Sequence, residues 1–184
     1  GVSEIFIPFY GLLDLGIWFI PFFLAVLLSI LASGVIDGID GLSGGVLSVT
    51  FSAIGVIAFI GNQLDASALS FVIVGGLLAF LWFNIPPARF YLTETGFIPL
   101  ALALTILAFM TNTVILLPLL AFIPFITVVT NIIQVLSKKL RGKKIFLVAP
   151  IHHHFEAIGW PPYKIVMRYW VISVIFAFIG VLIA

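Results

Sequence analysis

The residues with the clearest capacity for chemistry are three consecutive histidines, His152, His153 and His154. They are the only histidines in the sequence. Glu156 lies two residues further on. Imidazole and carboxylate groups can bind a transition metal, and protonated imidazole can pair with phosphate. A surface cluster without a chemical role explains the histidines alone equally well. Because the surrounding chain is almost wholly apolar, we expect this cluster to lie at a membrane surface or to line a wet cavity.

Carboxylates occur in two other polar stretches. One is Asp37-Gly38-Ile39-Asp40-Gly41, and the other, residues 84–96, contains Asn84, Arg89, Tyr91 and Glu94. Carboxylate oxygens are the ligands that Mg²⁺ prefers, and basic side chains bind phosphate. With the histidines, these stretches favour a hard cation and a phosphate-bearing substrate. Asp-Gly pairs also form ordinary turns, so two solvated loops without chemistry remain an alternative.

The composition places these loops in a membrane protein. The chain of 184 residues is 63% hydrophobic and only 8% charged, whereas soluble domains carry about 25% charged residues. The absence of cysteine excludes disulfides, a thiol nucleophile and cysteine-based metal sites. The net charge of +1 gives no reason to expect a nucleic acid partner, and we predict none. Because the sequence begins with Gly1 rather than Met, we expect a piece of a longer protein.

The elements that must position these residues are predicted to be membrane-spanning helices. About 20 apolar residues cross a bilayer as a helix, and the alternation of a transmembrane β-barrel is absent. We therefore predict an all-α polytopic bundle, one transmembrane domain over residues 1–184, with an interfacial lead-in at residues 1–16. In the fifth span, Pro118 and Pro124 predict a kink. The six predicted spans are approximately 17–36, 42–60, 68–83, 97–110, 114–136 and 166–184.

The charges predict how these spans are oriented. All eight basic residues fall in or beside loops 37–41, 84–96 and 137–165. On the opposite side, all of the charged residues are acids. By the positive-inside rule the basic loops are cytoplasmic. The run from Lys138 to Lys144 is then best explained as an anchor for anionic lipid head groups. The three chemically equipped loops are thus expected on one face.

Several motifs resemble the phospho-N-acetylmuramoyl-pentapeptide transferases, a branch of the polyprenyl-phosphate N-acetylhexosamine-1-phosphate transferase superfamily. The resemblance rests on Asp-Gly-Ile-Asp-Gly-Leu at 37–42, Phe-Leu-Trp-Phe-Asn at 80–84, Ala-Pro-Ile-His-His-His-Phe-Glu at 149–156, Gly-Trp-Pro at 159–161 and Arg-Tyr-Trp-Val-Ile-Ser at 168–173. It implies a ten-helix parent in which the six spans are the fifth to tenth helices. An earlier aspartate pair of that parent is missing here, so we expect the 184-residue chain alone to be inactive.

The resemblance also implies a reaction and its partners. The reaction is transfer of phospho-MurNAc-pentapeptide from UDP-MurNAc-pentapeptide to undecaprenyl phosphate, giving lipid I and UMP with Mg²⁺, in the bacterial cytoplasmic membrane. A homodimer is left open. Related sugar-phosphate transfer, an inactive scaffold or lipid-binding homologue, and a metal or solute transporter are the alternatives. Transport is the least favoured, because the spans carry no charge near the midplane, where transporters place polar groups.

The family's functional residues can be carried over position by position. The three histidines are expected near the phosphates, Asp40 at the uracil, Tyr91 stacked on that base, and Asn84 as an active-site asparagine. Asp37 shares the loop of Asp40, and Glu94 stands where the family has a Mg²⁺-binding Asp. The predicted catalytic set is Asp37, Asp40, Glu94, His152, His153 and His154; the predicted substrate-binding set is Asp40, Asn84, Tyr91, His152, His153 and His154; the predicted metal ligand is Glu94.

The sequence departs from the family pattern at three positions. Glu94 replaces the Asp of the metal site, and Gly34 stands where the family has an Asn. Thr127 falls where some members have a Glu in the ninth helix. The first two departures affect the expected metal geometry and substrate contacts, and they favour the scaffold alternative.

Overall fold

The computed structural model describes residues 4–7 and 10–184. Six segments within these ranges are helical, long and apolar enough to cross a membrane. This confirms the predicted helical membrane fold. The helices are α1 (Phe19–Ala32), α2 (Leu42–Ile60), α3 (Leu64–Asn84), α4 (Thr93–Met110), α5 (Leu117–Leu120), α6 (Phe122–Arg141), α7 (Ile151–Ala157) and α8 (Pro162–Ile183).

The segment before α1 contains a feature that the sequence did not predict. Strands β1 (Glu4–Ile7) and β2 (Gly11–Asp14) pair as an antiparallel hairpin, and a 3₁₀ turn, Gly16–Trp18, leads from it into α1. Gly11 lies at the start of β2 with a φ of 93°, a conformation that favours glycine. The expected interfacial lead-in is therefore a small hairpin in the part that the structure describes.

Three of the helices begin four residues before the apolar segments that predicted them. α3 includes Asp65 in its first turn and α4 includes Glu94, where a carboxylate is favourable because of the positive helix N-terminus. α8 begins with Pro162, whose missing N–H costs nothing at the first helical position. Hydropathy marks only the apolar part of a helix, so it underestimates helices with polar first turns.

The predicted fifth span is divided. A 3₁₀ turn, Val114–Leu116, precedes α5, and the chain leaves helical geometry at Ala121 before α6 begins. Pro118 is the second residue of α5 and Pro124 the third residue of α6. Both prolines thus occupy first turns, which tolerate the absent N–H. The kink expected from the prolines is a break between two helices, and α6 continues to Arg141, beyond the predicted end.

The centre of the bundle is α2, which is two-thirds buried, whereas α1 is largely exposed. Small residues on α2 let the neighbouring helices approach α2 closely. A Cβ on Gly44 would lie 3.0 Å from the Phe80 ring of α3, and a Cβ on Gly45 would overlap the Trp170 indole of α8. Thr50 also donates a hydrogen bond of 3.1 Å to the Leu120 carbonyl of α5. α2 therefore holds α3, α5 and α8 in fixed positions around it.

Candidate active site

Three loops meet at one end of the bundle, and hydrogen bonds join two of them. The first loop, residues 37–41, begins within a 3₁₀ segment, Ser33–Gly38, and ends where α2 begins. The Gly41 N–H donates to the Asn84 Oδ1 at 2.9 Å, and the Ala88 N–H donates to the Asp40 Oδ2 at 3.0 Å. The segment from Asn84 to the start of α4 is thus fixed against the aspartate loop.

Asp37 links the same loop to the N-terminus of α4. Its Oδ2 accepts the Thr93 N–H at 3.0 Å, and its Oδ1 accepts a short hydrogen bond from the Ser43 hydroxyl. A carboxylate at a helix N-terminus is stabilised by the unpaired N–H groups there. Asp37 therefore fixes the residue that immediately precedes Glu94, which brings the two predicted carboxylates into one region.

Asn84 has a positional role in this structure. The residue is 1% exposed, and its Nδ2 donates to the Phe90 carbonyl at 3.0 Å while its Oδ1 accepts from Gly41. Gly41, with a φ of 79°, also accepts a 3.1 Å hydrogen bond from the Trp170 Nε1 of α8. Both backbone groups of Gly41 are thereby fixed, and with them the orientation of Asp40. Direct contact between Asn84 and substrate stays a prediction.

The histidines lie on the short helix α7. His152 is fully buried, and neither of its ring nitrogens has a hydrogen-bond partner among the described residues. His153 Nδ1 lies 2.6 Å from Glu156 Oε2, and both side chains are about one-third exposed. His154 Nδ1 accepts the Leu147 N–H at 3.2 Å. The three rings therefore have three different environments.

Gly38 brings α7 against the aspartate loop. A Cβ at this position would lie 2.9 Å from His153 Nε2 and 3.5 Å from His152 Nε2. Only a residue without a side chain allows the backbone to approach the two imidazoles so closely. The contact places His152 and His153 beside the loop that carries Asp37 and Asp40.

The environment of His152 determines its charge. Burial, with a smaller contribution from the neighbouring His153, lowers the pKa of His152 from 6.5 to about 4. His152 is therefore neutral at pH 7. It can accept or donate a hydrogen bond there, but it does not bring a positive charge to a phosphate.

Tyr91 and Glu94 are the exposed members of the predicted site. Tyr91 is 57% exposed, which leaves its ring free to stack on a planar ligand. Glu94 is in the first turn of α4 and exposed.

Within residues 4–7 and 10–184, no group of three or more His, Asp or Glu side chains is arranged to bind a metal ion alone. Mg²⁺ commonly uses one or two carboxylates plus substrate phosphates, so Glu94 beside Asp37 fits a partial site of this kind.

Two hollows adjoin this end of the bundle. One is a cavity of about 530 Å³ bordered by Asp40, Pro86, Glu156 and Tyr163. The other, of about 390 Å³, is an apolar groove between α1 and the helices α5 and α6. The groove reaches Ser33, at the start of the 3₁₀ segment that carries Asp37. Its other lining residues include Phe22, Val26, Pro118, Phe125, Val128 and Ile132.

The structure accounts for two of the departures from the family pattern. A Cβ on Gly34 would lie 3.0 Å from the buried Phe97 ring, so that ring occupies the space an Asn side chain would need. Thr127 is buried, and its hydroxyl donates to the Ile123 carbonyl of its own helix at 2.8 Å. Its hydroxyl is thus satisfied within α6.

Sequence reasoning missed several residues that hold this site together. Gly38, Ser43, Gln134 and Trp170 received no role, although each contacts a predicted site residue or the segment beside one. The available signals were a polar Gln near the end of a membrane-spanning helix and the positions of Gly38 and Trp170 within the motifs at 37–42 and 168–173. Ser43 resembles an ordinary helix residue.

The fold and the site define a class: a helical membrane protein with aspartates, an exposed aromatic residue and imidazoles gathered at one end of its bundle. Residues 1–112 match the sequence model described as glycosyl transferase family 4. Because this match covers more than half of the chain, the chain belongs to that family. The histidine helix lies beyond the matched residues.

Relatives with curated names cover nearly all of the chain, including the histidines. The phospho-N-acetylmuramoyl-pentapeptide-transferase of Anoxybacillus flavithermus is 36% identical over 170 residues, which are 92% of this chain and 52% of that protein. Those of Listeria welshimeri and Listeria monocytogenes are 39% and 40% identical over 178 residues, 95% of this chain and 55% of each relative. The chain thus spans about half the length of these curated relatives.

Proposed function

We propose that this chain forms the part of a phosphoglycosyl transferase that carries the aspartate, aromatic and histidine groups of its active site. The reaction is transfer of phospho-MurNAc-pentapeptide from UDP-MurNAc-pentapeptide to undecaprenyl phosphate, which yields lipid I and UMP. The observation that carries this proposal is the contact of Gly38 with His152 and His153, because it joins the aspartate loop to the histidine helix. The names of the relatives support the choice of substrates.

Different residues of the site would bind different parts of the nucleotide sugar. The Asp40 carboxylate can accept a hydrogen bond from the uracil N–H, and the exposed Tyr91 ring can stack on the base. Asn84 and Trp170 hold Gly41 so that Asp40 keeps its orientation. The partly exposed His153 and His154 are available to the diphosphate. In the reaction, the bond between the β-phosphorus and the UMP oxygen breaks. UMP leaves with the bridging oxygen, and an oxygen of the lipid phosphate bonds to the β-phosphorus in its place, either directly or after a carboxylate has first bonded to that phosphorus and is then displaced.

Mg²⁺ is the cofactor that this donor set would hold. Glu94 would supply a carboxylate oxygen, and the diphosphate would supply the remaining charge. When bound, the cation stabilises the negative charge that builds up on the leaving UMP. Asp37 already accepts hydrogen bonds from Ser43 and Thr93, and its contribution is to fix the first residue of α4, next to Glu94.

The apolar groove suits the lipid substrate. The hydroxyls of Ser29 and Ser33 are both satisfied by carbonyls of their own helix, so the groove offers a chain almost only apolar surface. A polyprenyl chain lying there would place its phosphate toward Asp37 and the histidines. With the loops at the cytoplasmic face of the bacterial inner membrane, as the distribution of bases predicts, the soluble nucleotide reaches the site from the cytoplasm.

The test is lipid I formation by the parent protein across a Mg²⁺ titration, for the natural sequence and for Glu94→Gln, Glu94→Asp and His153→Ala. We expect Glu94→Gln to abolish Mg²⁺-dependent transfer while the protein stays folded, and His153→Ala to reduce transfer at every Mg²⁺ concentration. We expect no gain in activity from Glu94→Asp, because on this proposal the loop would be fitted to the longer side chain. Full activity of Glu94→Gln would remove Glu94 from the metal site.

An inactive lipid-binding scaffold is the second candidate. The Phe97 ring against Gly34 favours it, because that ring fills the space of a side chain that the family uses. Absence of transfer by the natural parent protein, together with retained binding of undecaprenyl phosphate, would support the scaffold. A parent that forms a different lipid-linked sugar would instead identify a related sugar-phosphate transferase.

A further inference from the structure

Gln134 uses its whole amide group to hold the segment that leads to the histidines. The side chain lies near the end of α6 and is only 6% exposed. Its Oε1 accepts the N–H groups of Ile145 at 3.1 Å and Phe146 at 3.0 Å, and its Nε2 donates to the Phe146 carbonyl at 2.9 Å. One buried residue thus fixes the backbone of residues 145–146 through three hydrogen bonds.

The segment held by Gln134 contacts His154 in two ways. The Leu147 N–H, directly after the fixed residues, donates to His154 Nδ1 at 3.2 Å. The Phe146 ring meets the His154 imidazole edge to face, with 5.7 Å between the ring centroids. The position and the rotation of the His154 ring therefore follow from the position of this segment.

These contacts determine where the neutral His154 ring carries its proton. A nitrogen that accepts a hydrogen bond from a backbone N–H has no proton of its own. The proton of neutral His154 is therefore on Nε2, which makes that nitrogen a hydrogen-bond donor.

His153 has the opposite arrangement. Its Nδ1 faces the Glu156 carboxylate, which can only accept, so Nδ1 carries the proton. The Nε2 of neutral His153 is then an acceptor, and it is the atom that lies against Gly38. In their neutral forms the two adjacent histidines thus carry their protons on different ring nitrogens, Nε2 in His154 and Nδ1 in His153.

We propose that Gln134 is a positioning residue that holds His154 as the Nε2–H tautomer, so that His154 donates a hydrogen bond to a substrate phosphate oxygen while His153 offers an acceptor. The proposal concerns residues 145–147 as the connection between Gln134 and His154. It rests on the proposed function for its substrate, but the tautomer itself can be measured without any substrate.

The first experiment is NMR spectroscopy of the detergent-solubilised protein with ¹⁵N-labelled histidine, at a pH where the rings are neutral. The two tautomers differ in which ring nitrogen is protonated, and the ¹⁵N shifts distinguish them. We expect His154 to be the Nε2–H tautomer and His153 the Nδ1–H tautomer in the natural sequence. Gln134→Leu removes all three hydrogen bonds and should convert His154 to a mixture of tautomers. Assignments come from the spectra of His153→Gln and His154→Gln.

Two further variants separate positioning from general damage to the fold. Gln134→Glu keeps the one oxygen that accepts from Ile145 and Phe146. Burial favours the protonated carboxyl, which can donate to the Phe146 carbonyl in place of Nε2, so this variant should retain the His154 tautomer. Asn131→Leu removes an amide one turn earlier on α6, from a residue with no side-chain hydrogen bond to the described chain, and should also leave the tautomer unchanged. An unchanged His154 tautomer in Gln134→Leu, or equal loss of it in Asn131→Leu, would overturn the proposal.

The second experiment measures transfer by the parent protein. Gln134→Leu should lower kcat by about tenfold or more, because a misplaced His154 contributes less to the reaction. The KM for the nucleotide sugar should change little, because Asp40 and Tyr91 are untouched, and Gln134→Glu should recover most of the loss. A rise in KM alone, with kcat unchanged, would contradict the positioning role. If the natural parent shows no transfer, the proposed function fails, and the NMR result still decides the role of Gln134 in holding the tautomer.

Discussion

Gly38 and His153 are in direct contact across two loops: a Cβ on Gly38 would lie 2.9 Å from the Nε2 of His153. These residues are 115 positions apart in the chain, and they join the loop of Asp37 and Asp40 to the helix of the three histidines. The contact depends on the absence of one side chain, so it can be tested by adding a methyl group.

Gly38→Ala should push the His153 imidazole away from the aspartate loop. We expect overpacking to cost about 1–3 kcal/mol of stability and transfer by the parent protein to fall by about tenfold or more. Gly75→Ala is the matched control, because a Cβ on that α3 residue would meet nothing within 4 Å. Thermal unfolding and lipid I formation are the measurements, and equal behaviour of the two variants would contradict the contact.

Gly34→Asn should be destabilising unless Phe97 is also made smaller. A Cβ on Gly34 would lie only 3.0 Å from the Phe97 ring. Adding the Asn side chain therefore forces either the Phe97 ring or the backbone at residue 34 to move. In the double variant Gly34→Asn/Phe97→Ala, we expect the two costs to be strongly non-additive, as they are for residues in contact. A double-mutant cycle of unfolding free energies gives the coupling directly, and simple additivity would show that the two positions do not interact.

The burial of His152 predicts that stability falls in acid. Its folded pKa of about 4 lies below the value of 6.5 for an exposed histidine, so the unfolded chain binds the proton more tightly. The stability that neutral His152 contributes is complete above about pH 6.5 and is lost as the pH falls toward 4, by about 3 kcal/mol at most.

His152→Gln should remove this part of the pH dependence, because glutamine does not titrate. His154→Gln, which changes a partly exposed ring in the same helix, should retain it. The measurement is the unfolding temperature of each variant between pH 7 and pH 5. An identical decrease for the natural sequence and for His152→Gln would show that another group is responsible.

The orientation of the bundle can be tested with single cysteines, since the natural sequence contains none. Lys139→Cys lies near the end of α6, beside the basic loop, and Asp65→Cys lies in the first turn of α3. We expect a membrane-impermeant thiol reagent, applied to cells from outside, to label Asp65→Cys only. Labelling of both positions from outside would overturn the predicted cytoplasmic placement of the site.

The sequence by itself determined the class of fold, because hydropathy acts locally: a run of about 20 apolar residues must be helical in a bilayer to satisfy its backbone. Local motifs likewise pointed to Asp37, Asp40 and the histidines. The helices that begin at Leu64, Thr93 and Pro162 were predicted to begin four residues later. A polar first turn is favourable for a helix, but a hydropathy pattern does not detect it.

Only the tertiary structure decided which of these groups act on one another. Gly38 touches His153, Asn84 and Trp170 hold Gly41, and Phe97 fills the space beside Gly34. Each of these contacts joins residues that are 43 to 129 positions apart in the chain. No local pattern encodes such a pairing, because it depends on how closely α2, α4, α7 and α8 approach. The chemical state of His152 and the fixed proton of His154 follow from that packing, through burial in one case and a backbone hydrogen bond in the other.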